Sequence, residues 1–225
     1  MSQPGFRSRI GKQAVLYGLG VVAARALSFV SLPIMTRLLT PADYGVIQLI
    51  EMTFDMLTIL AGSRIGSGIY RFYHKAETEE EKHGVLSTAL LFLLASFSLI
   101  AAAAWFSADA MSQLIFETDR YATAIRVASL SFPWMGTMGV TLGYLRMLDR
   151  ALSWVLVGLV KSVIQLIMVV ILLGFVGMDL TGVFIAALTA NTLTGSWLVW
   201  TMLRTTGLSF VPGAAKDLLR FGLPL

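Results

Sequence analysis

Ala14 to Leu39 reads AVLYGLGVVAARALSFVSLPIMTRLL, an apolar run interrupted near its middle by Arg25 and near its end by Arg37. About twenty apolar residues suffice to span the hydrocarbon core of a bilayer, so this run is long enough to cross one. Counted from Ala14, Arg25 lies roughly 16 Å along a helix, close to the midplane. An arginine at that depth costs about 2.5–3.5 kcal/mol even on lenient insertion scales, which marks Arg25 as a candidate functional residue. The run ends in Leu32-Pro33-Ile34-Met35-Thr36-Arg37-Leu38-Leu39-Thr40-Pro41-Ala42-Asp43-Tyr44-Gly45, where two prolines and a glycine are expected to stop one helix and start another.

The composition agrees with a membrane setting. Of 225 residues 56% are apolar and 13% charged, and the mean hydropathy is +0.77, which excludes an ordinary soluble domain and indicates a polytopic membrane protein. There is no cysteine, so disulfides and thiolate metal sites are impossible. The two histidines, His74 and His83, flank one polar stretch, and no metal site or cofactor is expected. A pI of about 9.6 would suggest nucleic acid in a soluble protein. Here the placement of the charges matters more than their sum, and nucleic acid is not an expected partner. The opening with Arg7, Arg9 and Lys12 looks like the start of a signal peptide, yet the apolar run behind it far exceeds the roughly 7–15 residues of a signal core. It reads as an uncleaved first span.

Six stretches qualify as spans, at about 14–39, 45–73, 84–106, 121–147, 152–176 and 180–203. They lack the period-two alternation of barrel strands and are about twice the length such strands need. The expectation is an all-α transmembrane bundle in which short linkers make successive helices antiparallel. Residues 1–13 form a cytoplasmic N-terminus and 204–216 a cytoplasmic linker, while 217–225 begin a seventh, truncated helix. That last segment suggests a second copy of the six-helix unit, as in transporters built from two halves.

Orientation follows from the basic residues in the connections. Arg7, Arg9, Lys12, Arg71, Lys75, Lys82, Arg146, Arg150, Arg204, Lys216 and Arg220 fall on one side, and only Arg37 and Arg120 on the other. The rich side belongs in the cytoplasm, which puts the N-terminus inside and the turns near Asp43, Asp119 and Asp179 outside. Glu77, Glu79, Glu80 and Glu81 read as a solvated cytoplasmic linker, and Trp105 and Phe106 as part of an aromatic belt.

Four basic residues remain within spans: Arg25, Arg64, Arg126 and Lys161. Lys161 is deep, with Gln165 one turn further on the same face. Arg64 sits among Gly62, Ser63, Gly66, Ser67 and Gly68, small residues that permit close helix contact or a broken helix. Arg126 is near enough to the outer end to snorkel to the interface. The acids Glu51 and Asp55 share one face of the second span. Either Asp55 neutralises Arg25 across a helix interface, or both acids line a polar cavity. Asn191, with Thr189, Thr192 and Thr194, adds hydrogen-bonding groups to the sixth span, where interhelical packing is the plainer explanation. No phosphate-binding Gly-Lys-Ser/Thr loop, serine triad or intramembrane metalloprotease motif occurs, so the chain does not read as an enzyme.

The segment from Leu32 to Gly45 resembles the first-loop signature of bacterial polysaccharide-transport proteins, the O-antigen or Wzx-type flippases of the MATE-like exporter superfamily. Gly68-Ile69-Tyr70-Arg71-Phe72-Tyr73, Leu145-Arg146-Met147-Leu148-Asp149-Arg150-Ala151 and the closing Leu219-Arg220-Phe221-Gly222-Leu223-Pro224-Leu225 extend the resemblance along the chain. It implies one lobe, the N-terminal one, of a two-lobe exporter in the bacterial cytoplasmic membrane, which needs a C-terminal lobe or a second chain to complete its cavity. The implied substrate is an undecaprenyl-pyrophosphate-linked oligosaccharide, among membrane lipids and alongside polysaccharide polymerase and glycosyltransferases. A pyrophosphate suits cationic donors. Arg25, Arg64, Lys161 and Asn191 are then the expected substrate-binding residues, in a basic cavity, with Glu51 and Asp55 binding a coupling ion. The alternatives are a cation-coupled drug or metabolite antiporter of the same superfamily, for which the two acids are suitable, and a non-transporting scaffold for envelope polysaccharide synthesis.

Overall fold

The computed structural model describes residues 18, 20, 22, 23, 26, 27 and 29–207 except 77 and 149, without the side chains of 60–68, 70, 71, 146, 147 and 151. The expected N-terminal segment 1–13, Arg25 and the C-terminal segment 208–225 lie outside the described residues, as does the side chain of Arg64. The elements are α1 (Phe29–Leu38), α2 (Pro41–Lys75), α3 (Glu79–Phe106), α4 (Ala108–Phe116), α5 (Ala122–Ser129), α6 (Phe132–Met147), α7 (Ala151–Val169), continued by a π-helical turn (Val170–Phe175), and α8 (Thr181–Thr206). No strand occurs among the described residues, and the fold is an all-α bundle.

The junction expected to stop one helix and start another holds a single break. Pro33 lies inside α1, and the chain turns only at Leu39 and Thr40. Thr40 then sets the start of α2. Its hydroxyl accepts from the Asp43 N–H, the Asp43 carboxylate accepts from the Thr40 N–H at 2.9 Å, and Pro41 occupies the first turn. Proline is tolerated within a membrane helix where neighbouring groups re-satisfy the backbone it frees. Gly45 is therefore an interior residue of α2 rather than its boundary.

A second reciprocal cap, Thr78 with Glu81, opens α3. Glu79, Glu80 and Glu81 form the first turn of that helix, where they complement its dipole, rather than a linker. Glu79 also accepts from the Lys82 amine at 2.6 Å.

The connection after α3 contains α4, a helix not expected from the sequence. Its Asp109 binds Arg126 of α5, the Ser112 hydroxyl donates to the Thr118 carbonyl, and Glu117 adopts a left-handed conformation (φ 56°) that ends the helix. The stretch expected as a single span over 121–147 is two helices, α5 and α6. Pro133 has no N–H to continue the ladder, the Ser131 N–H turns back to the Ala128 carbonyl, and the Ser129 hydroxyl donates to the Arg126 carbonyl.

Three helices among the described residues are long and apolar enough to cross a bilayer: Glu79–Phe106, Leu152–Phe175 and Thr181–Thr206. The core forms where α3 packs on α6, α2 on α3, and α6 and α7 on α8. Phe132, at the start of α6, is its hub, with its ring 4.8 Å from that of Phe54 and 5.9 Å from that of Phe97. Phe97 fits because position 136 is glycine, where a Cβ would come within 2.7 Å of the ring. Several buried hydroxyls are satisfied within their own helices, as when Thr194 donates to the Ala190 carbonyl and Thr141 to that of Thr137. Leu152, Leu156, Val160, Val163, Ile167 and Ile171 make an exposed apolar stripe along α7, the surface a helix presents to lipid.

Candidate functional site

Helix spacing gathers the polar residues. Gln48, Glu51 and Asp55 stand at i, i+3 and i+7 on one face of α2, and Lys161 and Gln165 at i and i+4 on α7. Between these faces lie two adjoining chambers. One, of about 410 Å³, is lined by residues of α1 and by Tyr44, Gln48 and Glu51 of α2, Ser162, Gln165 and Val169 of α7, and Val183 of α8. The other, of about 280 Å³, holds Glu51, Asp55, Lys161, Gln165, Ser131 and Asn191. Glu51 and Gln165 belong to both. The second chamber backs onto Phe54, Phe132 and Phe184, so the aromatic core fixes the inner wall of the polar space.

The structure therefore brings Glu51, Asp55, Lys161 and Asn191 to one chamber. Arg25 lies outside the described residues, and Arg64 is placed on α2 without its side chain. Among the described lining residues the charges are two carboxylates and one amine, so this part of the cavity lacks the basic excess expected of the whole. Among the described residues neither acid forms an ion pair and neither does Lys161, since the two ion pairs found lie elsewhere. Arg126 is one of those pairs, bonded to Asp109 away from the chambers.

Among the described residues, three buried polar atoms at this site lack a hydrogen-bond partner: the Tyr44 hydroxyl, Ser131 Oγ and Asn191 Oδ1. Tyr44 lines the larger chamber, and Ser131 and Asn191 the smaller. A buried polar group left unpaired costs about 1–3 kcal/mol, so a site holding three is poised for a polar ligand. Thr189 and Thr194, by contrast, donate to carbonyls of their own helix.

Tyr44, Gln48, Ser131 and Ser162 were not singled out from the sequence. Gln48 carried a readable signal, its place on the face of Glu51 and Asp55. Ser131 carried none, because its position depends on the break between α5 and α6.

A family model described as polysaccharide biosynthesis protein matches residues 10–225. The chain belongs to the polysaccharide biosynthesis protein family. No curated protein matches it by sequence. In fold this member of the family is similar to a MOP superfamily transporter from Pyrococcus furiosus, at 18% identity and a TM-score of 0.79, over 96% of this chain and 51% of that one. It is similar also to a multidrug resistance MATE family transporter in an outward-facing conformation, at 19% identity and a TM-score of 0.77, again over 96% and 51%. A MATE protein in complex with MaD3S matches at 18% identity and a TM-score of 0.78, over 96% and 52%. The chain spans about half the length of these transporters and has the fold of one lobe of a MATE-like exporter. It is a multi-pass membrane protein.

Proposed function

We propose that this polysaccharide biosynthesis family chain is the N-terminal lobe of an exporter that moves undecaprenyl-pyrophosphate-linked oligosaccharide across the bacterial cytoplasmic membrane, with its N-terminus inside. The observation that carries this reading, together with family membership, is Lys161: an amine deep in a membrane helix, lining a polar chamber without a counter-ion among the described residues. A cation so placed has use for an anionic ligand, and a pyrophosphate is one. Lys161 and Asn191, with Arg25 and Arg64, hold that group. Glu51 and Asp55 repel it, and instead take up a coupling H⁺ or Na⁺. A second lobe or a second chain completes the cavity, and polymerase and glycosyltransferases supply and consume the substrate. The test is flipping of lipid-linked oligosaccharide in vesicles reconstituted with the full-length protein. Wild type should transfer the glycan across the bilayer, and Lys161→Ala should not.

One observation favours a second reading, a cation-coupled antiporter for drugs or metabolites. Carboxylates outnumber amines among the described lining residues, as suits a cationic cargo. Uptake of an organic cation by the same vesicles, with no movement of lipid-linked glycan, would decide for it.

A further inference from the structure

The two chambers differ in chemistry, and the difference assigns parts of a ligand to each. The smaller holds Asp55 and Lys161. The larger holds Tyr44, Gln48, Ser162 and Gln165, and its one charged group among the described residues is Glu51, which it shares. The chambers also differ in depth. Tyr44 follows the turn between α1 and α2, and Val183 lies just inside α8, whereas Asn191 is eight residues further on, roughly 12 Å along the axis. The larger chamber thus lies toward one end of the bundle, and the charged one toward its middle.

What fits the larger chamber can be argued by elimination. Among the described residues no cation lines it to hold an anion, as Lys161 does in the smaller chamber, and Glu51 would repel one. An apolar ligand would leave the amides of Gln48 and Gln165 unpaired, and would not satisfy the buried Tyr44 hydroxyl. An organic cation could use Glu51 but not those neutral groups. A sugar matches, because its hydroxyls both donate and accept, and side-chain amides and hydroxyls do the same. The volume of about 410 Å³ lies within the usual range for ligand sites.

We infer that the chamber of Tyr44, Gln48, Ser162 and Gln165 is a glycan subsite, which receives the distal sugars of a substrate whose pyrophosphate sits at Lys161. The inference rests on the reading given under Proposed function, and makes this chamber the part of the cavity that senses glycan length. Ser162 already donates to the Gly158 carbonyl, so toward a sugar it acts as an acceptor. The Tyr44 hydroxyl and the Gln48 amide supply donors.

The experiment compares two lipids in vesicles containing the full-length protein: undecaprenyl pyrophosphate bearing the complete oligosaccharide, and the same lipid bearing a single sugar. Tyr44→Phe removes only an atom that has no hydrogen-bond partner, so its thermal unfolding temperature should not fall below that of wild type. Gln48→Leu keeps similar bulk on an exposed position of α2. Each should slow the oligosaccharide by about three- to tenfold, the worth of one neutral hydrogen bond, and leave the single-sugar lipid unchanged. Equal slowing of both lipids, or of neither, overturns the subsite while leaving the exporter reading intact. If wild type moves neither lipid, the exporter reading fails and the subsite with it. If the variants slow an organic cation instead, the larger chamber is a cation site and the inference is wrong.

Discussion

Lys161 on α7 and Asp55 on α2 line the same chamber without forming an ion pair. An amine partly withdrawn from water, with a carboxylate in the same chamber that it does not engage, is an arrangement that destabilises the fold, and the proposed function gives it a ligand as its partner.

Replacing the amine by an apolar side chain of similar length removes that burden. Lys161→Met should raise stability by about 1 kcal/mol while abolishing transport, a separation expected where a site is held for function. Thermal unfolding in detergent and flipping in vesicles measure the two effects. Loss of folded protein would show that Lys161 has a structural partner after all.

Glu51 and Asp55 make a different forecast. The double change Glu51→Gln with Asp55→Asn should alter how transport depends on pH or sodium, because carboxylates repel a pyrophosphate and are free to bind a coupling cation. If transport falls equally under every ionic condition while the protein stays folded, the coupling role is wrong.

Two glycines on α6 give a contrast in packing. Gly136→Ala drives a Cβ to within 2.7 Å of the Phe97 ring, whereas Gly139→Ala meets nothing within 4 Å. The first should destabilise by about 1–3 kcal/mol through overpacking. The second should stabilise by about 0.5–1 kcal/mol, since alanine has the better helix propensity. Unfolding midpoints of the two variants should move in opposite directions.

Sidedness is tested by cysteine labelling, and the structure chooses the positions. Ser112 in the long connection after α3 would be a poor reporter, being fully buried and bonded to the Thr118 carbonyl. Gln113, its exposed neighbour on α4, serves instead. Gln113→Cys should react with an impermeant thiol reagent in intact cells, and Glu79→Cys should not. Labelling at Glu79 from outside would reverse the orientation.

How far the sequence could be read depends on where each answer is encoded. The all-α bundle was legible because it rests on long apolar runs, a property of local composition. The pairing of Glu51 with Asp55, and of Lys161 with Gln165, was legible because helix periodicity is local too. That these two faces look at each other was not, since it depends on which helices pack together. Pro33 falls within the expected first span and lies inside α1, since proline is tolerated in a membrane helix where neighbouring groups re-satisfy the backbone it frees. Pro133, inside a run that looked unbroken, marks a real break, which became apparent only with Ser129 and Ser131 bonded back to the preceding turn. The basic cavity could not be judged from single residues, as its sign depends on every side chain that faces it.

The π-helical turn Val170–Phe175 at the end of α7 has a bearing on how this lobe can vary. Its five-residue spacing is visible where the Val176 N–H bonds the Ile171 carbonyl at 3.0 Å. Such a turn holds one residue more than an α-helix would use for the same path. Removing one residue there would restore the α-helical ladder along the same path, so the residues beyond it keep their heading, as do Lys161 and Gln165, which precede it. The turn thus holds slack in the register. A single-residue deletion there is absorbed by the turn, and re-aims neither the rim of the bundle nor the amine.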